Sequence, residues 1–311
     1  MSTHPVSSRI AQRLHRVAVL LFASMIAHAA NATDAAPQRV VAVGGATTEI
    51  LYALGLADRV VGVDSTSLFP PQALRDKPNV GYMRQLSAEG ILGLSPQLVL
   101  LGAGSGPKET LAVLAESGVA LRPLPDHFSG EGIIERIRAV AAAMGVPARG
   151  ACLETAVRGD LAALADLRGR IGAPRRVLFV MSLVDGRALV AGRGTAADAV
   201  IALGGGINAA SDVEGYKPFG DEAVLLAQPD LVLTMQRGAQ EVEAPAVFSR
   251  PGFAQTPAGA RRAFLSLDGH LLLGFGPRTP EAARAIAAAL DPAAAAAPWP
   301  AQVAAASCAS P

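Results

Sequence analysis

The chain holds little of what most metal and redox chemistry is built from. Only two cysteines occur in 311 residues, Cys152 and Cys308, with no Cys-x-x-Cys spacing and no disulfide framework behind them. A bond between them is open to the chain in an oxidising compartment. Of five histidines, His4, His15 and His28 lie in the first 32 residues, which leaves His127 and His270, too few for a His-rich zinc site. No Gly-x-Ser-x-Gly or His-Glu-x-x-His is present, and neither Gly44-Gly45 nor Gly204-Gly-Gly206 matches Gly-x-Gly-x-x-Gly. With no paired acid–base set either, no catalytic residues are assigned and enzymatic activity is not expected. Charge is sparse as well, at 17%, with 27 Lys and Arg against 26 Asp and Glu. Arg9, Arg13 and Arg16 lie in a leader without acids, so the remainder carries 24 basic against 26 acidic residues, about −2. No basic stripe is left to hold a nucleic acid.

What is present begins with that leader. A basic stretch to Arg16, an eleven-residue apolar run Val17 to Ala27, and Ala30-Asn31-Ala32 follow the order of a cleavable signal peptide. The run falls well short of the roughly 20 residues that span a bilayer. No cysteine lies near the cleavage site, so no lipid anchor is expected. Residues 1–32 are therefore read as signal peptide, with the mature, soluble chain starting at Thr33 in the periplasm.

The mature part repeats itself. Gly45-Ala-Thr-Thr-Glu-Ile-Leu-Tyr-Ala-Leu-Gly55 parallels Gly194-Thr-Ala-Ala-Asp-Ala-Val-Ile-Ala-Leu-Gly204. More tightly, Glu89-Gly-Ile-Leu-Gly-Leu-Ser-Pro-Gln-Leu-Val-Leu100 parallels Glu222-Ala-Val-Leu-Leu-Ala-Gln-Pro-Asp-Leu-Val-Leu233. Each of the tighter copies reads as a short amphipathic helix, a proline break and a buried strand. β-Rich runs Arg39–Val43 and Arg176–Val180 open the two halves. Alternating strands and helices argue α/β lobes built on parallel sheets. Leucines and alanines at helical spacing predict one long helix from Pro147 to Arg170, stopped by Gly172-Ala-Pro174. The expected organisation is an N-terminal lobe over 33–145, a connecting helix over 146–172 and a C-terminal lobe over 173–290. An Ala/Pro-rich tail over 291–311 is expected to be poorly ordered. The chain then crosses between lobes once, and the ligand cleft lies between them at the C-terminal ends of the strands.

This plan resembles the helical-backbone periplasmic binding proteins of ABC importers, and within them the haemin-binding proteins. The resemblance rests on Gly45-Ala-Thr-Thr-Glu49, Val63-Asp-Ser-Thr-Ser67, Val80-Gly-Tyr-Met-Arg-Gln-Leu-Ser-Ala-Glu-Gly90, Gly192-Arg-Gly-Thr-Ala-Ala-Asp198, Glu214-Gly-Tyr-Lys-Pro218 and Leu272-Leu-Gly-Phe-Gly-Pro-Arg-Thr-Pro280. It implies capture of haem b as transported cargo by a monomer that delivers it to an ABC permease dimer. Tyr82 is implied as the axial ligand of the iron. Its chemistry stands on its own: ferric iron is hard enough to bind a phenol as phenolate, and tyrosine is an attested haem ligand. Arg237 is implied beside the ligand tyrosine, where a cation would hold the phenolate. Arg84 is implied as a further pocket contact, and the internal symmetry of the second pair, Gly215-Tyr216, puts Tyr216 and Lys217 across the cleft from Tyr82 as haem-face or propionate contacts. Glu49 and Asp198, at matching positions of the two lobes, are implied as docking acids for the permease. Some relatives carry a cleft histidine for a second haem; here Met181-Ser-Leu-Val-Asp-Gly186 has none. His127, after Pro125-Asp126, is the possible alternative ligand, and His270 is read as marking a turn. A siderophore or corrinoid carrier is the alternative within the same fold, although only 4% of the chain is aromatic.

Overall fold

The computed structural model describes residues 36–184, 186–236, 241–296, 298–300 and 308–309. The proposed signal peptide and Arg237 lie outside the described residues. The first sheet has four parallel strands in the order β2 (Val60–Val63), β1 (Val40–Val43), β5 (Leu98–Leu101) and β6 (Ala120–Pro123). β1 and β5 are buried at every position, because helices cover both faces and no alternation of polar residues is needed. Between β2 and β5 a small hairpin pairs β3 (Gly81–Tyr82) with β4 (Gln85–Leu86).

The second sheet is mixed. β7 (Arg176–Val184), β11 (Leu231–Gln236) and β12 (Phe264–Asp268) run parallel, and β9 (Ile207–Asn208) pairs with β7. β8 (Arg187–Ala191) and β10 (Tyr216–Phe219) are antiparallel. The departure from an all-parallel lobe comes from a tight return at Gly186, whose φ of 72° is open to glycine at no steric cost. That return folds β8 back on β7 and places β10 at the sheet edge.

The connecting helix spans Pro147–Arg168, with proline in its first turn. Its buried positions, Gly150, Leu153, Ala156, Val157, Asp160, Leu164 and Leu167, recur at intervals of three and four. Leu153, Val157, Leu164 and Leu167 enter one continuous core that also contains Val40 and Ile50 of the first lobe and Phe179, Val200 and Ile286 of the second. Separate clusters back the outer face of each sheet.

Of the tail, residues 291–296, 298–300 and 308–309 are described. Pro292–Ala295 is helical, Trp299 packs against the core with Arg284 over its ring at 5.5 Å, and Cys308 is 1% exposed in a disulfide with Cys152. Packing of the partly buried Trp299 indole and burial of Cys308 hold these residues in a stretch whose composition alone reads as loose. The bond ties Cys308 covalently to the connecting helix.

Candidate functional site

The C-terminal ends of the first sheet are tied together by Asp64, which is fully buried. Its carboxylate accepts from the Gly44 amide (2.8 Å), the Thr66 amide (3.0 Å) and hydroxyl (2.8 Å), and the Ser67 hydroxyl (3.1 Å). Thr66 Oγ1 in turn accepts from the Gly45 amide at 3.0 Å. Buried polar groups so fully paired rigidify the loops that carry them.

On that base sits the Tyr82 hairpin. The Ser65 amide donates to Gly81 O (2.9 Å), the Gly106 amide to Met83 O (2.9 Å) and the Leu86 amide to Gly106 O (2.9 Å). Gly81 has φ 102°, and a Cβ there would come within 2.9 Å of Gln85 O, so only glycine leaves the hairpin undisturbed. Tyr82 is 44% exposed on this pinned hairpin, and Arg84 in its turn is exposed too. In the second lobe Gly215 also has positive φ, and Tyr216, 39% exposed, starts edge strand β10 opposite Ala191, with Lys217 opposite Val190. The two Gly-Tyr pairs thus share backbone geometry but sit in different settings, a free-standing hairpin and a main-sheet edge.

The docking expectation for Glu49 requires an exposed carboxylate, and this one is 5% exposed. The helix Gly45–Ala53 puts Glu49 beyond its first turn, pointing at the other lobe. There Oε1 accepts from the Arg278 amide (3.0 Å) and Oε2 from Arg278 Nη2 (3.2 Å). The Arg278 guanidinium also stacks 3.3 Å over the Phe69 ring. Asp198, partly buried, stays within its own lobe: its carboxylate accepts from Asn208 Nδ2 (2.9 Å) and the Gly194 amide (3.2 Å).

Three further residues join the lobes, and the sequence assigned none of them to a seam. Arg136, buried in the helix Gly130–Ala143, donates to Pro125 O (3.0 Å) and Asp126 (2.8 Å) in the first lobe. It also reaches Phe275 O (3.0 Å) and Gly274 O (3.3 Å) in the second. Burial pushes its pKa down, opposed by the Asp126 carboxylate. Phe275 meets the Phe128 ring at 5.2 Å. His270 lies in the short helix Gly269–Leu273 rather than in a turn, and its ring covers Gly45 so closely that a Cβ there would stand 2.0 Å from Cε1. A buried arginine amid Ile133, Ile134 and Ile137 was the one sequence signal for this seam.

His127 is largely exposed, at 70% of its side chain, with Nδ1 2.7 Å from Glu135 Oε2. Two depressions, of about 390 and 160 Å³, lie away from the C-terminal ends of the strands. The larger is lined by Arg175, Asp230 and Arg261, the smaller by Arg170, Arg284 and Trp299. The acids that head the tighter repeat, Glu89 and Glu222, are both exposed at the starts of their helices. The repeat itself was the signal that could have raised them above Glu49.

Residues 40–271 match the family model described as periplasmic binding protein. The chain belongs to the periplasmic binding protein family. This binding protein is similar to the periplasmic heme-binding protein RhuT from Roseiflexus sp. RS-1 in apo form, at 43% identity and a TM-score of 0.78, over 83% of this chain and 99% of that one. It is also similar to the periplasmic heme-binding protein BhuT in complex with two hemes, at 41% identity and a TM-score of 0.77, over 81% and 98% of the two chains. A vitamin B12-binding protein of Vibrio cholerae is 28% identical over 200 residues, 64% of this chain and 71% of that one.

Proposed function

We propose that this binding protein captures ferric haem outside the cytoplasm and hands it to an ABC permease. The observation that carries the reading is the likeness, over 81–83% of this chain, to heme-binding proteins at 41–43% identity, with a pinned, exposed tyrosine on a hairpin of the first lobe. Tyr82 ligates the iron as phenolate, a hard oxygen donor that favours Fe(III). Among the described residues no three His, Cys, Asp or Glu gather to hold a metal ion. A porphyrin brings four of the iron's ligands itself, so one protein oxygen suffices. Arg84 and Lys217 offer cations to propionates, Tyr216 offers a ring or hydroxyl to the haem, and Arg237 holds the phenolate charge. The chain is exported by a cleaved leader, 1–32, and acts as a monomer.

Titration with haemin, followed by the visible spectrum and set beside a ferric siderophore and a corrinoid, tests the cargo. The corrinoid reading draws on the Vibrio cholerae relative and gains if the corrinoid binds more tightly than haemin. Tyr82→Phe should weaken haem binding at least about tenfold and remove the phenolate-to-iron band. Tyr216→Phe should keep that band, and Arg237→Ala should raise the pH at which haem leaves. Loss of the band in Tyr216→Phe alone would place the ligand in the other lobe.

For docking, the equivalent and exposed acids Glu89 and Glu222 replace buried Glu49 in this reading. Asp198 keeps the role only if its two internal hydrogen bonds can be given up. Charge reversal of Glu89 and Glu222 should reduce transport while leaving haem affinity unchanged. Equal loss of both would assign these acids to the cleft.

A further inference from the structure

The helix Gly45–Ala53 is gripped at both ends. At its start, the ring of His270 lies on Gly45, and Arg278 holds Glu49 across the seam. At its end, Arg149 of the connecting helix donates to Leu54 O (3.1 Å), and Ala309 lies against Gly55, 2.5 Å from where a Cβ would stand. Ala309 is fixed there by its neighbour Cys308, which is buried in the core and bonded to Cys152 on the connecting helix.

We propose that the Cys152–Cys308 bond, with Ala309 beside it, is a covalent strap that sets how quickly the cleft lets go of its cargo. The inference rests on the haem reading above. With the bond closed, Ala309 braces the far end of the helix whose near end forms the seam between lobes. With it open, that brace is lost, the helix frays more often, and the Glu49–Arg278 contact opens with it. Cys152 is exposed and Cys308 is not, so a dithiol reaches the bond from the Cys152 side. Its thiolate attacks Cys152 Sγ and expels the Cys308 thiolate, which takes up a proton. The reagent's second thiolate then resolves the mixed disulfide. Two electrons and two protons pass to the protein, leaving two thiols and the reagent as its cyclic disulfide.

The test measures haem loss to an excess of a haem-free globin, together with amide exchange over residues 45–55. It compares the oxidised protein, the same protein after dithiothreitol, and the double variant Cys152→Ser/Cys308→Ser without reductant. The double variant separates the strap from any action of thiol on the iron. If it does not fold, reduction of the folded wild type carries the comparison, with a ferric spectrum taken after the thiol is removed. Haem loss faster by roughly threefold or more, with faster exchange over 45–55, is the expected result. Equal rates of haem loss would overturn the proposal, whether or not exchange changes. A protein that binds no haem would defeat the cargo reading; exchange over 45–55 unchanged by reduction would defeat the brace independently of it.

Discussion

At the start of its first strand each lobe uses an arginine in the same way. Arg39, just before β1, donates Nε to Ser95 O (3.1 Å) and Nη2 to Leu94 O. Arg176, opening β7, donates Nε to Ala227 O (2.7 Å) and Nη2 to Ala209 O (3.2 Å). Ser95 and Gln228 occupy equivalent places before a proline and share positive φ, 47° and 43°. Two residues on, Gln97 Oε1 accepts the Arg39 amide (3.1 Å) and Asp230 Oδ2 accepts the Arg176 amide (2.9 Å). At the opposite ends of the sheets the likeness stops: Glu49 crosses to the other lobe and Asp198 does not. The fastening at strand starts serves each lobe by itself, so one solution works twice. The cleft ends must meet each other, and two surfaces that fit together need not be copies.

The sharpest break of that comparison is at Glu49. Glu49→Ala leaves the Arg278 guanidinium without its carboxylate and should cost about 3–4 kcal/mol, whereas Asp198→Ala should cost about 1 kcal/mol. Urea unfolding of the two variants, read by midpoint at equal slope, measures the difference. Costs of similar size would mean that the seam is no stronger than an ordinary intralobe contact.

Next in size is the fastening at Asp230. Burial raises its pKa, but the Arg176 amide and the Arg261 guanidinium outweigh this and hold it below the usual carboxylate value. A lowered folded pKa gives stability that is full above about pH 4 and is lost as pH falls through the lowered value. Asp230→Asn should therefore cost about 1 kcal/mol at neutral pH and cease to matter in strong acid. The first lobe, with neutral Gln97 in that place, should show no such dependence when Gln97→Ala is followed over the same range. Parallel pH profiles for the two variants would remove the distinction.

The smallest effect is expected at His127. Its contact with Glu135 is exposed, so His127→Ala should change stability by about 0.5 kcal/mol or less. The ferric haem spectrum should not move; a lost axial signature would make His127 a ligand after all.

Much of this architecture was legible in one sequence. Repeats, buried runs and the proline before a strand are local signals, and they located the lobes, the connecting helix and the Gly-Tyr turns. The burial of Glu49 was not legible, because its partner Arg278 lies 229 residues away and only folding brings them together. The Cys152–Cys308 bond, between residues 156 apart and without any spacing motif, was open to the chain but not fixed by its sequence, for the same reason. Arg136 read as one more charge on an amphipathic helix, since its four acceptors are carbonyls and a carboxylate supplied by two other segments.

The unbroken core through the connecting helix bears on how the molecule comes apart. Leu153, Val157 and Leu164 pack into the same buried cluster as Leu54 and Ile137 on one side and Val177 and Ala283 on the other. Removing either lobe would strip the helix of half its cover and expose apolar surface along its length. The repeated halves are thus not two folding units in series. Heat should melt them in one cooperative transition, and a protease that cuts the connecting helix should release fragments that unfold, with no free-standing lobe left behind.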